Sequence, residues 1–300
     1  MIEARNISKM FDDSVALADV SINVKKGSIY GLVGSNGAGK TTLLKILAGI
    51  YRQDQGEVLI DNQKVFENID IKSKTVFIPD SLYFFSQYTV KDMARFYQRI
   101  YDNWNEERYQ KLKNVFQLDE HKKIQRMSKG MQRQAAFWLA LALKPDYLIL
   151  DEPLDGLDPV MRRKVRNLII QDTADREMTV LISSHNLREL EDLCDCIGVL
   201  HQGRLIVEKE LDDLKSDIHK VQAAFPDDVP ENIFENDDVL YREKRGSVQL
   251  FIIRGKKDEV IKNVSQHHPL ILDILPLTLE EIFIYEMGEI GYEIKNVIFK

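Results

Sequence analysis

The run Gly34-Ser35-Asn36-Gly37-Ala38-Gly39-Lys40-Thr41 fits the pattern G-x-x-x-x-G-K-[ST]. Its glycines let the backbone wrap closely around phosphate oxygens. Successive N–H groups and a helix N-terminus then face the anion. In this loop class Lys40 reaches the β- and γ-phosphates, and the Thr41 hydroxyl ligates Mg²⁺. Without its setting the pattern is only a Gly-rich turn. Here it follows an apolar stretch, residues 28–33, and opens the helical spacing of residues 41–48, as the phosphate chemistry requires. A second chemical element is Leu148-Ile149-Leu150-Asp151-Glu152, an apolar strand ending in two carboxylates. Strand ends at the carboxyl edge of a parallel sheet are where open α/β folds bind ligands. Asp151 is placed to hold Mg²⁺ through water, and Glu152 to orient and deprotonate an attacking water. Such a pair standing alone is equally a solvated turn; beside a phosphate loop it reads as a site.

These residues need a frame. Residues 2–7, 21–24, 28–33 and 58–60 read as strands, with Lys25-Lys26-Gly27 and Asp61-Asn62 as turns. From about residue 86 to 144 the pattern turns helical. Val90, Met93, Phe96, Tyr97 and Ile100 share one helix face, and further helices are expected over 106–116 and 131–143. Strands then alternate with helices again: 147–150, 162–170, 179–183, 187–193 and 197–201. This order implies an α/β fold with a largely parallel sheet covered on both faces. After about residue 217 the composition shifts, and 239–241, 248–253, 258–264 and 270–274 give a β-β-α-β reading for a small accessory α/β domain. The tail 292–299 reads as an added strand.

Composition bounds the function. The 300 residues are 44% hydrophobic and 30% charged, with a formal net charge of −7. That suits a folded chain of two domains, or one with an appendage. An acidic balance disfavours bulk nucleic-acid binding, which works by neutralising phosphates. The longest apolar run, residues 135–143, is far short of the roughly 20 residues a membrane span needs. The start, Met1-Ile2-Glu3-Ala4-Arg5, lacks an apolar signal core. Cys194 and Cys196 form neither a disulfide framework nor a zinc set, and read as reduced thiols. His267-His268 has no acid or cysteine at ligand spacing.

Three further motifs complete an ordered set. Met127-Ser128-Lys129-Gly130-Met131-Gln132-Arg133 lies between the phosphate loop and the acidic pair; Leu154-Asp155-Gly156-Leu157-Asp158-Pro159 and then Ser183-Ser184-His185 follow it. In this order and spacing they resemble the signature motif, D-loop and H-loop of the ATP-binding subunits of ABC transporters, over about residues 2–215. The flavour is the ABC-2 exporter type. Tyr101-Asp102-Asn103-Trp104 and the Ser-Lys-Gly-Met signature resemble a Gram-positive subgroup that includes exporters of amphipathic peptides.

The resemblance implies a P-loop ABC ATPase: a mixed-sheet core, a helical subdomain insert and a small C-terminal accessory domain. The ATP-binding domain is expected over 1–217, its helical part over about 86–144, and the accessory domain over 218–300. Two such subunits, identical or paralogous, are expected to pair head-to-tail around two ATP and to power a polytopic permease from the cytoplasmic face of the membrane. No direct nucleic-acid partner is expected. Ser35, Asn36, Gly37, Ala38, Gly39, Lys40, Thr41 and Thr42 would hold the phosphates. Phe11 would stack on adenine, unless it is a core residue. Ser128, Lys129 and Gly130, opening a helix, would grip the γ-phosphate of the other subunit's ATP. Asp158 would link the two sites, and His185 would contact the γ-phosphate and steady the water beside Glu152. Mg²⁺ would be held by Thr41 and Asp151.

The sequence also departs from the family pattern. Asp80 stands where the family's lid has Gln; it can still bind Mg²⁺ or its water. Lys129 opposes the helix dipole by about a few tenths of a kcal/mol, but beside a bound phosphate it helps. Tyr83-Phe84-Phe85 is either a docking surface for the membrane subunit or core of the helical insert. Leu279-Glu280-Glu281-Ile282-Phe283 resembles the ending of many exporter ATPases. Other readings are a soluble ABC ATPase of translation or DNA repair, and an ATP-dependent switch with little turnover.

Overall fold

The computed structural model describes residues 1–225 and 238–288. They divide into two compact units: residues 1–185 with 193–208, and residues 186–192 with the described part of 209–300. Residues 209–217, which the sequence places with the first domain, cluster with the second. The expected strand over 292–299 lies outside the described residues.

The first unit opens with β1 (Ile2–Phe11) and β2 (Ser14–Val24), then β3 (Ile29–Val33), α1 (Lys40–Leu47), β4 (Gln55–Ile60), β5 (Gln63–Lys64), α2 (Ile69–Lys74) and β6 (Thr75–Ile78). The hairpin between β4 and β5 turns on Asp61 and Asn62, both left-handed at φ 49° and 62°, the conformation short polar side chains tolerate best. Three helices follow: α3 (Val90–Ile100), α4 (Glu106–Phe116) and α5 (Lys129–Ala142). Each has a side-chain cap. Thr89 and Asp92 form a capping box on α3, Asn105 accepts from the Arg108 amide, and Ser128 accepts from the Met131 amide. Trp138 of α5 stacks on Tyr109 of α4, with ring centroids 4.8 Å apart, and its indole N–H donates to the Tyr109 carbonyl at 2.9 Å. The chain re-enters the sheet as β7 (Tyr147–Leu150) and continues through α6 (Pro159–Arg176), β8 (Thr179–Ser184), α7 (Leu187–Glu191), which clusters with the second unit, and then β9 (Cys196–His201) and β10 (Arg204–Glu210).

Two sheets result. One has the order β10-β9-β3-β8-β7-β6, and its pairs from β9 to β6 are parallel. β3, β7 and β8 are buried at every residue, as central strands covered on both faces must be. The other is antiparallel, β2-β1-β4-β5. Its apolar residues alternate onto one face, and Ile2, Ile7, Leu17, Val58 and Ile60 share a core with Leu43 and Leu44 of α1 and Leu181 of β8. The sequence reading had these strands shorter and did not separate them into a second sheet.

The second unit adds α8 (Leu211–Asp217), β11 (Ile218–Ala224), β12 (Asp238–Arg245), β13 (Val248–Arg254), α9 (Lys257–Ser265), β14 (Ile271–Leu275) and α10 (Leu279–Gly288). Its sheet, β12-β13-β11-β14, is antiparallel throughout. Phe251 and Ile253 of β13 pack with Val221 of β11 and with Val260 and Val264 of α9. The β-β-α-β reading corresponds to β12, β13, α9 and β14; β11, α8 and α10 are additions to it. Among the described residues no helix is long and apolar enough to cross a membrane. Neither Cys194 nor Cys196 is in a disulfide, and burial pushes the Cys194 thiol well above its ordinary pKa, which keeps it unreactive.

Candidate functional site

The register of the parallel sheet assembles the site. Val33 pairs with Ser184, and Leu150 pairs with both Ile182 and Ile78. The phosphate loop leaves β3, Asp151 and Glu152 leave β7, and His185 leaves β8, all at one carboxyl edge. At Gly34 a Cβ would stand 2.4 Å from the Leu200 carbonyl; at Gly39, at φ 107°, it would stand 2.6 Å from the Ala16 carbonyl. Both positions therefore exclude a side chain. Gly39 also occupies the N-cap of α1, where no side chain caps the helix. The first amides of α1 are thus left for an anion.

A hydrogen-bonded run crosses the strand ends. The Thr41 hydroxyl donates to Asp151 Oδ2 at 2.8 Å, and the Ser183 hydroxyl donates to Asp151 Oδ1 at 2.8 Å. The Glu152 amide donates to Ser183 Oγ at 3.0 Å. Asp151, only 1% exposed, thus has both oxygens satisfied by neutral hydroxyls, and no cation in the chain is paired with it among the described ion pairs. Glu152 sits at φ 45°, the left-handed region that a non-glycine residue adopts only under constraint. Its Oε1 lies 3.1 Å from Lys40 Nζ. Its Oε2 accepts from the His185 amide at 3.2 Å and lies 2.9 Å from His185 Nδ1. Lys40 is 6% exposed and also donates to the Gly34 carbonyl at 2.7 Å.

Asp155 joins this group. Among the described residues, Glu152, Asp155 and His185 are the one set of three metal-type side chains, with ligand atoms within 4.8 Å of one another. Sequence reasoning had Asp155 only as a motif position and gave Ser183 no role. The D-loop pattern contained the first, but Ser183 bridges to Asp151 across the sheet, where no spacing rule reaches. The donors beside the loop, a hydroxyl and carboxylates, are hard oxygens that suit Mg²⁺ rather than a thiophilic ion.

The remaining predicted residues fall in two places. Ser128 caps α5, so Lys129 and Gly130 lie in its first turn. A Cβ on Gly130 would meet the Gly156 carbonyl at 2.5 Å, which fixes signature and D-loop side by side. Asp158 caps α6, accepting from the amides of Val160 and Met161 at 3.0 Å. Asp80 Oδ1 lies 3.3 Å from Arg133 Nη2, and Arg133 also donates to the Pro79 carbonyl at 3.0 Å. Asp80, Lys129, Arg133 and Asp155 line one cavity of 420 Å³. Phe11 is 42% exposed rather than core, and its ring meets Tyr51 edge-on at 5.6 Å. Tyr51 is a second aromatic there that the sequence did not single out. The Tyr83-Phe84-Phe85 run divides: Tyr83 is 83% exposed and Phe85 is exposed, while Phe84 is buried.

Comparison with known proteins is consistent with this arrangement. The ABC transporter family matches residues 17–155. The ABC transporter ATP-binding protein YtrB of Bacillus subtilis (strain 168) is 34% identical over 96% of this chain and 98% of its own. The bacitracin transport ATP-binding protein BcrA of Bacillus licheniformis is 32% identical over 72% of this chain and 71% of its own. A solved ATP-binding subunit of an ABC transporter superposes with a TM-score of 0.66 at 26% identity, covering 72% of this chain and 92% of that one. Phosphate loop, paired strand-end acids and near full-length similarity converge: the chain belongs to the ABC transporter family, as an ATP-binding subunit that hydrolyses ATP.

Proposed function

We propose that the chain powers export through a separate membrane permease, with amphipathic peptides or other antimicrobial compounds as cargo. The observation that carries the catalytic part is the bonded run from Thr41 through Asp151 and Ser183 to Glu152 and His185. Phosphate oxygens bind the amides of Ser35, Asn36, Gly37, Ala38, Gly39 and Lys40, and the hydroxyls of Thr41 and Thr42 lie at the same helix start. Phe11 stacks on adenine from the exposed end of β1. Lys40 exchanges the Gly34 carbonyl and Glu152 for phosphate oxygens, which frees Glu152 Oε1 to take the proton of the attacking water. His185 holds the γ-phosphate and keeps Glu152 oriented through Oε2. Thr41 and Asp151 would hold Mg²⁺, which would supply charge neutralisation at the phosphates. Asp80, paired with Arg133 through Oδ1, would be a third ligand for the metal or its water.

Ser128, Lys129 and Gly130 at the start of α5 serve the partner subunit's ATP, and Asp158 links the two sites. Residues 1–217 act as the ATP-binding domain and 218–300 as the accessory domain. Tyr83, Phe85 and Tyr88 form the surface that meets the permease: the Phe85 ring lies 5.0 Å from Tyr88 and 5.3 Å from Phe96 of α3, a cluster too apolar to be left bare. The subunit works at the cytoplasmic face of the membrane. The cargo class rests on the similarity to a bacitracin transport subunit. Affinity purification of the Glu152→Gln chain in mild detergent with ATP is the test. Recovery of a polytopic membrane protein is expected; ribosomes or DNA-associated proteins in its place would overturn the transport reading.

A further inference from the structure

Phe11 is the last residue of β1, paired with Ser14 across a turn in which Asp12 is left-handed at φ 50°. A ring at an exposed hairpin tip samples several rotamers unless neighbours hold it. Here Tyr51, Lys9 and Asp54 hold it, all within the first unit. Tyr51, in the turn after α1, meets the ring edge-to-face, with 67° between the planes. Lys9 Nζ lies over the ring, 5.4 Å from its centroid. Asp54 accepts from that ammonium at 2.6 Å through Oδ1 and from the Met10 amide at 2.7 Å through Oδ2, and its own amide donates to the Ser8 carbonyl at 2.9 Å. The Lys9 ammonium and the Met10 amide hold the Asp54 carboxyl below its ordinary pKa, so the clamp stays charged at neutral pH. Tyr51 is fixed in turn. Its amide donates to the Lys45 carbonyl at 3.1 Å, and the Lys45 ammonium lies 5.1 Å from its ring centroid. Lys45 stands in the last turn of α1. The brace therefore runs from Phe11 through Tyr51 and Lys45 to the helix that starts at the phosphate loop.

We propose that Tyr51 and Asp54 are positioning residues for recognition of the nucleotide base: they hold the Phe11 ring where the base stacks, Tyr51 directly and Asp54 through Lys9. The inference rests on the reading of Phe11 as the residue that stacks on adenine. A ring already fixed in place costs the incoming base less lost freedom than one that must be ordered as it binds. Neither Tyr51 nor Asp54 lies in the phosphate loop, so the effect falls on the base and spares the phosphates. A ligand with phosphates and no base separates the two.

The experiment uses the full chain and reads equilibrium affinity for ATP and for inorganic tripolyphosphate, each with Mg²⁺. The variants are Tyr51→Leu, Tyr51→Phe, Asp54→Asn, Phe11→Ala and the combination of Phe11→Ala with Tyr51→Leu. Tyr51→Leu, which removes the edge-to-face pair, and Asp54→Asn, which removes the charge that holds Lys9, are each expected to weaken ATP binding about threefold to tenfold, with tripolyphosphate within about twofold. Tyr51→Phe, which keeps the ring, restores the affinity that Tyr51→Leu loses. In the Phe11→Ala chain Tyr51→Leu causes no further loss, because it acts through Phe11. Wild-type ATP affinity in Tyr51→Leu and Asp54→Asn beside a weakened Phe11→Ala chain would overturn the positioning role and leave the stacking reading standing. So would an equal loss for ATP and tripolyphosphate. A Phe11→Ala chain that binds ATP as the wild type does would overturn the stacking reading itself.

Discussion

Asp151 is a buried carboxylate whose two oxygens accept from neutral hydroxyls, those of Thr41 and Ser183. Ser183→Ala removes one of them and the acceptor of the Glu152 amide as well. A loss of about 1–3 kcal/mol is expected, the cost of a buried group left unsatisfied, and urea unfolding of the full chain measures it. Gly39→Ala is a steric test of the loop: with φ at 107° and the Ala16 carbonyl 2.6 Å from the new methyl, the loop must move. Equilibrium binding should show ATP affinity falling by tenfold or more, about 1.4 kcal/mol. The phosphate loop and the acid pair were legible in the sequence because their chemistry lies in contiguous residues. Ser183 was not, since its partner Asp151 lies 32 residues away and only the β7–β8 register joins them. The Phe11–Tyr51 contact escaped for the same reason: the end of β1 meets the turn after α1 there, and no periodicity marks the meeting.

Local signals carried furthest at the scale of elements. The bounds of α3 and α4 follow from one apolar face and from Thr89 and Asn105 as caps. Thr89→Ala should cost about 1 kcal/mol through loss of the capping box, with the ATPase rate unchanged, because α3 holds no site residue; thermal unfolding and turnover together check it. The antiparallel sheet was less legible: β1 lies between β2 and β4, and pairing with β4 joins strands far apart in sequence. In the accessory unit β11 carries His219 and Lys220 among its apolar residues, which breaks the pattern that betrays a strand. Lys220 has a second role. Burial pushes the Glu281 carboxyl up, but the Lys220 ammonium and the Thr278 amide outweigh it and hold the group below its ordinary value of 4.5. Glu281 therefore contributes stability in full above about pH 4.5, and that contribution is lost as pH falls through the lower folded value. Acid melts of the Glu281→Gln chain should show a shallower loss of Tm below that pH than the wild type.

For the whole molecule, the proposed cycle needs two chains. The signature turn of α5 and the D-loop are held against each other by the close approach of Gly130 to Gly156, so both present to a partner as one surface. With hydrolysis blocked by Glu152→Gln, ATP should convert the full chain to a dimer by mass, and Ser128→Glu, which places a second negative charge against the γ-phosphate, should prevent it. The central claim is that Glu152 is the base that opens ATP. Steady-state turnover of the full chain with Mg²⁺ and ATP, measured for wild type and Glu152→Gln beside nucleotide binding, tests it most directly. A loss of at least about a hundredfold in rate, with ATP still bound, is the predicted result for removing a general base. Turnover unchanged in Glu152→Gln would contradict it.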